Sequence, residues 1–94
     1  MIKHVLAIKV KDGESIDEMR DVLMSMKGNV PTVKDISVGI DFLHSERSYD
    51  ILMEVTLENK ESLDVYQADE YHCNVVKPYV QSHRSAVVAV DYEI

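Results

Sequence analysis

The sequence switches between two hydrophobic periods, and the order of these switches limits the possible folds more than any other feature. From Ile2 to Lys11 every second residue on one side is apolar except His4, which is the period of a β-strand with one buried face. From Ser15 to Val30 the apolar residues recur at spacings of three and four, which is the period of an amphipathic helix. A strand followed by a helix therefore opens the chain.

The predicted first helix has start and stop signals at its two ends. Ser15 and Glu18 form a capping box, in which each side chain accepts a hydrogen bond from a free backbone N–H group. Gly28-Asn29 and Pro31 predict its end. The stripe that can cover a sheet consists of Ile16, Met19, Leu23, Met26 and Val30.

Two more strands are predicted in the middle of the chain, because the alternation returns from Val33 to Phe42 and again from Tyr49 to Glu58. The polar residues 44–48 lie between them and favour a hairpin connection. Each strand has one apolar side that can face a helix. The sequence thus predicts an antiparallel pair at this point.

The last third of the chain predicts a second helical region and a fourth strand. Asn59 is suited to cap a helix, and Asp69 could cap a second helical segment, which we expect Pro78 to break or kink. Residues 86–92 have the apolar, β-branched composition of a strand. The order β-α-β-β-α-β predicts an α+β, ferredoxin-like fold with a four-stranded antiparallel sheet and helices on one face.

Length and charge restrict the class of protein. The 94 residues are expected to form a single domain over residues 1–94. The formal charge of −7 argues against binding to nucleic acid or to an anionic membrane surface. A single cysteine, Cys73, and an N-terminal segment interrupted early by Lys9 and Lys11 predict a soluble cytoplasmic protein without a signal peptide or membrane span.

The predicted sheet has an outer face that is too apolar to be left in water. Alternation places on it Val5, Ala7, Leu52, Val88, Val90 and Tyr92. A second copy of the chain could bury this face against its own sheet. We therefore expect a homodimer formed through the sheet.

Three polar residues are candidates for chemistry. His4 interrupts the apolar face of the first strand, either as a hydrogen-bonded core histidine or as a functional imidazole. Tyr66 and His72 lie six residues apart near a predicted helix junction. Together they could form an acid–base pair in an apolar pocket, or they could pack with their polar tips in water.

Metal and nucleophile chemistry are not favoured. His4 and His72 supply only two of the three or four protein ligands that a zinc site needs, and the acidic residues form no dense cluster. Cys73 directly follows His72, so that on a helix the two side chains point about 100° apart and do not form a Cys–His pair. We expect no cofactor and no metal.

The chain also resembles a known family along almost its whole length. The matching segments are Ile2-Lys3-His4-Val5, residues 9–12 and 33–39, Ser48-Tyr49-Asp50, Tyr66-Gln67 with His72, and Val90-Asp91-Tyr92. In this order they resemble the stress-responsive α/β barrel (Dabb) domain family. The resemblance implies a dimeric α/β barrel in which the sheets of two subunits pack together.

The family includes a plant polyketide cyclase, and the resemblance to it implies a pocket between the sheet and the helices. Matching positions make His72 and Tyr66 the catalytic pair and place His4 against the substrate. The rest of the implied lining is Leu6, Ile8, Leu23, Met26, Met53, Val87 and Ala89. The ligand would then be a small hydrophobic or aromatic molecule.

The sequence departs from the family pattern at Asp69-Glu70, where a His-Pro pair is common in the family. Asp69 could face the pocket and hydrogen-bond to His72, or it could cap a helix. Two functions remain open: a small-molecule pocket, with or without cyclase-like or lyase-like catalysis, and a non-enzymatic stress or interaction protein. No feature of the sequence selects a third function, a cofactor-free monooxygenase or haem-degrading enzyme of the same architecture.

Overall fold

The computed structural model describes all residues, 1–94, and contains the predicted elements in the predicted order. The elements are β1 (Ile2–Val10), α1 (Ile16–Met24), β2 (Asp35–Ile40), β3 (Ile51–Leu57), α2 (Lys60–Ala68), a π-helical segment (His72–Val76), α3 (Lys77–His83) and β4 (Arg84–Glu93).

The four strands form one antiparallel sheet in the order β2-β3-β1-β4. The central strand β1 pairs on one side with β3 and on the other with β4, and residues 41–50 connect β2 to β3. The register places His4 between Val55 of β3 and Asp91 of β4. The ferredoxin-like prediction is therefore confirmed.

The hydrophobic core lies between the sheet and the helices. Met19 and Leu23 of α1 and Met53 and Val55 of β3 are fully buried or nearly so. Tyr66 of α2 is also fully buried, with an exposed fraction of 0%. The apolar sides chosen by periodicity are thus the ones that pack together.

The first helix is shorter than the sequence predicts. It ends at Met24, where Ser25 donates its hydroxyl to the Val22 carbonyl, and the chain continues as turns through Gly28, whose φ of 84° leaves the helical region. Met26 and Val30 are still buried. The extension of the helix to Val30 was wrong, although the burial of the stripe was right.

The second strand is also shorter than predicted. Its pairing with β3 ends where Ile40 faces Ile51, and Asp41 then accepts a hydrogen bond from the His44 backbone N–H group in a turn. Phe42 lies beyond the strand and is 90% exposed. Its assignment to the apolar side of β2 was wrong, because an edge strand continues only as far as its partner extends.

Pro78 neither breaks nor ends the helical region. It lies in the first turn of α3, directly after the π-helical segment. A proline ring inside an α-helix clashes with the carbonyl four residues earlier, and a widened turn at this place offers a way to avoid that clash. Of the break or kink expected at Pro78, the break is not found, and a local change of helix type precedes the proline.

The outer face of the sheet carries the apolar residues expected from alternation. The exposed fractions of Leu52, Val88, Val90 and Tyr92 are 47%, 51%, 62% and 44%. The helices lie on the opposite face of the same sheet, so within one subunit nothing covers these side chains. None of the helices could cross a lipid bilayer, since each is too short or too polar.

Replacing Asn59 by alanine is expected to destabilise the protein by about 1 kcal/mol, because its Oδ1 atom accepts the backbone N–H group of Ser62 at 2.9 Å and caps α2. Urea unfolding measures the difference. Asn59→Asp keeps a capping oxygen and should remain close to the wild type. Equal stability of the alanine and wild-type proteins would show that the cap contributes nothing.

Candidate functional site

A cavity of about 320 Å³ lies between the sheet and the helices. An engineered cavity of about 150 Å³ binds benzene, so this one has room for a small aromatic molecule with substituents. Most of its wall is apolar. The predicted contact residues that line it are His4, Leu6, Leu23, Met26, Met53, Tyr66, His72, Val87 and Ala89.

Two predicted contact residues lie outside the cavity wall. Ile8 is fully buried in the core, where it is paired with Ile51 and Val87. Asp69 accepts the backbone N–H group of His72 through its Oδ2 atom at 3.0 Å. Of the two roles left open for Asp69, the structure shows the helix cap.

Five lining residues were missed by sequence reasoning, and for three of them a signal existed. Asp91 continues the alternation of Val87 and Ala89 on the cavity side of β4. Val76 and Val80 follow His72 at steps of four residues, which is helical spacing. The other two missed residues are Gln67 and Lys77.

His72 is held by the end of the helix that precedes it. Its Nδ1 atom lies 3.1 Å from the carbonyl oxygen of Tyr66, and because a carbonyl can only accept, Nδ1 carries the hydrogen. In the neutral ring Nε2 then has a free lone pair. No protein group is hydrogen-bonded to Nε2, the atom is not fully enclosed, and the His72 side chain lines the cavity.

The surroundings favour the neutral form of His72. Burial lowers the pKa of its imidazole below the ordinary value, and the positive charge of Lys77 lowers it further. The hydrogen bond to the Tyr66 carbonyl acts in the opposite direction and is the smaller effect. His72 is thus a neutral base near physiological pH.

Tyr66 forms the floor of the cavity beside His72. The two rings are stacked with centroids 4.5 Å apart. Burial raises the pKa of the Tyr66 phenol well above its usual range, so the hydroxyl stays protonated and acts as a donor. Its present acceptor is the thioether sulfur of Met26 at 3.5 Å, which is a weak one. A ligand oxygen would be a better partner.

His4 also contacts Tyr66 and is bound to β4. Its ring contacts the Tyr66 ring edge to face, with centroids 5.4 Å apart. The cross-strand register brings Asp91 opposite His4, and the carboxylate accepts the Nδ1–H group of this imidazole. The Asp91 side chain is 42% exposed, so it connects the buried His4 to the surface.

The polar groups of the cavity fit proton transfer better than metal binding. No group of three or more His, Cys, Asp or Glu residues is placed to hold a metal ion. What the cavity offers is one neutral base, one phenol donor and a histidine–carboxylate pair around an apolar space. Such a wall can bind an apolar molecule and exchange protons with its polar part.

The comparisons with known proteins agree on the family and the fold. A model of the family described as stress responsive A/B barrel domain matches residues 2–94. No curated protein has a significantly similar sequence. A protein of Arabidopsis thaliana has a similar structure, with 25% identity and a TM-score of 0.87, over 100% of this chain and 95% of that one.

Two further solved structures share the fold at lower identity. A dimeric protein of unknown function with a ferredoxin-like fold from Bacteroides fragilis is 17% identical, with a TM-score of 0.81, over 99% of this chain and 95% of that one. The hydroxynitrile lyase of Passiflora edulis is 14% identical, with a TM-score of 0.80, over 99% and 92% of the two chains. At these identities the likeness concerns the fold.

Proposed function

Because the chain belongs to the stress-responsive A/B barrel domain family, we propose that its cavity binds a small hydrophobic or aromatic molecule and that His72 acts on it as a general base. Members of one fold can differ in activity, so the proposal depends on the cavity itself. A volume of about 320 Å³ exceeds what one or two waters need, which argues against a purely structural role.

The observation that carries the proposal is the fixed tautomer of His72. Its Nδ1–H group is held by the Tyr66 carbonyl, which leaves Nε2 as a proton acceptor at the wall of an apolar cavity. A histidine that only capped α2 would need the hydrogen bond to the Tyr66 carbonyl, but it would not need to line a cavity. The lowered pKa keeps this acceptor free.

The expected reaction is a cofactor-independent proton transfer next to a carbonyl group. His72 Nε2 removes a proton from the carbon beside the carbonyl, and the electron pair of the broken C–H bond moves onto the carbonyl oxygen. Once the Met26 side chain moves aside, the Tyr66 hydroxyl, which is fully buried in the free protein, donates a hydrogen bond to that oxygen in place of the Met26 sulfur. The protonated His72 then returns the proton to the product.

Such a step can serve either the formation or the cleavage of a carbon–carbon bond. A cyclase joins the resulting carbanion to a second carbonyl, and a lyase runs a related step in reverse. The similar fold of the Passiflora edulis hydroxynitrile lyase supports the lyase direction by analogy of fold only. We therefore propose a cyclase-like or lyase-like activity and leave the substrate open.

We also propose that the working unit is a homodimer. The outer sheet face exposes Leu52, Val88, Val90 and Tyr92, and the solved structures with similar folds include proteins described as dimeric. Pairing two sheets would bury this face in the centre of a barrel. The cavity lies on the face of the sheet that the helices cover, so each subunit of the dimer would keep its own cavity.

The pH dependence of proton exchange tests the proposal. Phenylacetone carries an aromatic ring and exchangeable protons beside a ketone, and NMR measures the exchange of these protons for deuterium. Because the pKa of His72 is lowered, the catalysed rate should fall with decreasing pH, and the midpoint of the fall should lie below the ordinary histidine value of about 6.5.

An exposed histidine provides the control for this measurement. The His44 side chain is 67% exposed, and a His44→Gln variant should show the same profile as the wild type. Exchange no faster than in buffer would remove general-base catalysis from the proposal. A midpoint at or above pH 6.5 would assign the base to another group.

A further inference from the structure

Lys77 reaches the cavity because of the π-helical segment. In an α-helix, residues five positions apart point about 140° away from each other, so that Lys77 would face away from His72. Here the Lys77 backbone N–H group donates to the carbonyl oxygen of His72, five residues earlier, and the turn is wider. Both side chains line the same cavity.

The Lys77 ammonium group has no carboxylate partner. It donates one hydrogen bond, to the carbonyl oxygen of Gln67 at 3.1 Å, and no Asp or Glu oxygen lies within 4.0 Å of it. An ammonium group has three donors, so two remain. Among the residues that line the cavity, Lys77 is the only lysine or arginine.

An ammonium group without a carboxylate partner is unusual in a chain with an excess of acidic residues. The chain has 17 acidic residues against 10 basic ones, and Lys77 is half-buried. The one carboxylate in the cavity wall, Asp91, lies on the sheet and accepts a hydrogen bond from His4. An anion bound at the helix wall would meet the free Lys77 donors in a partly desolvated place, where charge pairing is strengthened.

We propose that the cavity selects small apolar molecules that carry one carboxylate, and that Lys77 binds this carboxylate. The inference rests on the proposed function, since it names the class of molecule that the same cavity takes. The apolar wall, which includes Leu23 and Met53, contacts the rest of the molecule. Because Lys77 and His72 share one turn, the carboxylate is held near the base.

A simpler role for Lys77 is also available and sets the design of the test. The Gln67 carbonyl lies at the end of α2 and also accepts the Cys73 thiol at 3.2 Å. A lysine there can cap the helix without binding anything else. Lys77→Gln keeps a side-chain donor and removes the charge, whereas Lys77→Met keeps only the apolar stem.

The experiment compares two probes of nearly equal shape, 3-phenylpropanoate and 3-phenylpropanamide. Titration calorimetry at neutral pH gives their dissociation constants for the wild type, for Lys77→Met and for Lys77→Gln. Lys27→Met is the matched control, because it removes the same charge from an exposed lysine that does not line the cavity. Thermal unfolding identifies any variant that does not fold.

We expect the wild type to bind the carboxylate about tenfold more tightly than the amide. Both Lys77 variants should lose this preference and bind the amide as the wild type does, and Lys27→Met should keep the preference. Equal affinity of the wild type for the two probes overturns the inference, and so does a preference that survives in a folded Lys77 variant.

The outcome also separates this inference from the proposed function. If the wild type exchanges the protons of phenylacetone but binds 3-phenylpropanoate and 3-phenylpropanamide equally well, the proposal of a general base is retained, and Lys77 only caps the helix. If it prefers the acid but exchanges no protons, the carboxylate site stands without catalysis. If it binds neither probe, the inference is overturned.

Discussion

Replacing His72 by asparagine is expected to reduce the catalysed exchange rate of phenylacetone by about 10²- to 10⁴-fold, the usual contribution of a positioned general base. The asparagine amide can take the place of Nδ1 and donate to the Tyr66 carbonyl, which His72 reaches at 3.1 Å. The acceptor Nε2 is lost. The variant thus removes the base and keeps the contact that stabilises the end of α2.

A second substitution at this position distinguishes the structural contribution of His72 from the chemical one. His72→Ala removes both the base and the hydrogen bond, so it should lose the same activity and also unfold at a lower urea concentration than His72→Asn. If the asparagine variant retains the wild-type rate, the base is not His72. If both variants are equally unstable and bind no ligand, His72 has a packing role.

Replacing Val90 by glutamate is expected to convert the proposed dimer to a monomer. Val90 lies on the outer face of the edge strand β4, opposite Val5 on β1, with 62% of its surface exposed in the single subunit. Twofold symmetry would bring two such carboxylates into one buried interface. Burying an unpaired charge costs several kcal/mol, so the dissociation constant should rise by about 100-fold or more.

The control for this substitution is Val65→Glu. Val65 lies on α2, away from the sheet, and its exposed fraction of 58% is close to that of Val90. Light scattering over a range of concentrations gives the mass of each protein. A wild type that is monomeric at micromolar concentration refutes the dimer. A Val90→Glu variant that stays dimeric places the interface elsewhere.

The order of the elements and the faces of the strands could be predicted from the sequence. Hydrophobic period depends on local geometry, with side chains alternating along a strand and repeating every three or four residues along a helix. For this reason the buried sides of β1 and β3 and the apolar outer face were identified correctly. Asn59 was recognised as a cap for the same reason, since capping needs only residues three positions apart.

The ends of the elements could not be predicted with the same success. Gly28-Asn29 and Pro31 suggested where α1 ends, but the helix already ends at Met24 and the backbone turns at Ser25. The buried positions of Met26 and Val30 are compatible with either path. Which path is taken depends on how the following strand reaches the sheet, and that is a property of the whole fold.

Some residues of the candidate site could also be identified from the sequence, and others only from the structure. His4, Tyr66 and His72 were identified as polar residues at apolar positions, and the structure brings all three to one cavity. Asp91 required the register between β1 and β4, which joins residues at opposite ends of the chain. Asp69 could be read either as a cap or as a partner of the imidazole until the position of its carboxylate was known.

The sequence by itself determined the order of the elements and the open sheet face, and it singled out His4, Tyr66 and His72 as candidates, because these depend on residue types and their spacing along the chain. Only the tertiary structure decided which nitrogen of His72 is free, how large the cavity is, and that Lys77 shares it. The position of Lys77 at the cavity depends on a π-helical turn, because α-helical spacing would place its side chain on the side of the helix away from His72. Packing between distant segments thus sets the chemistry of the cavity.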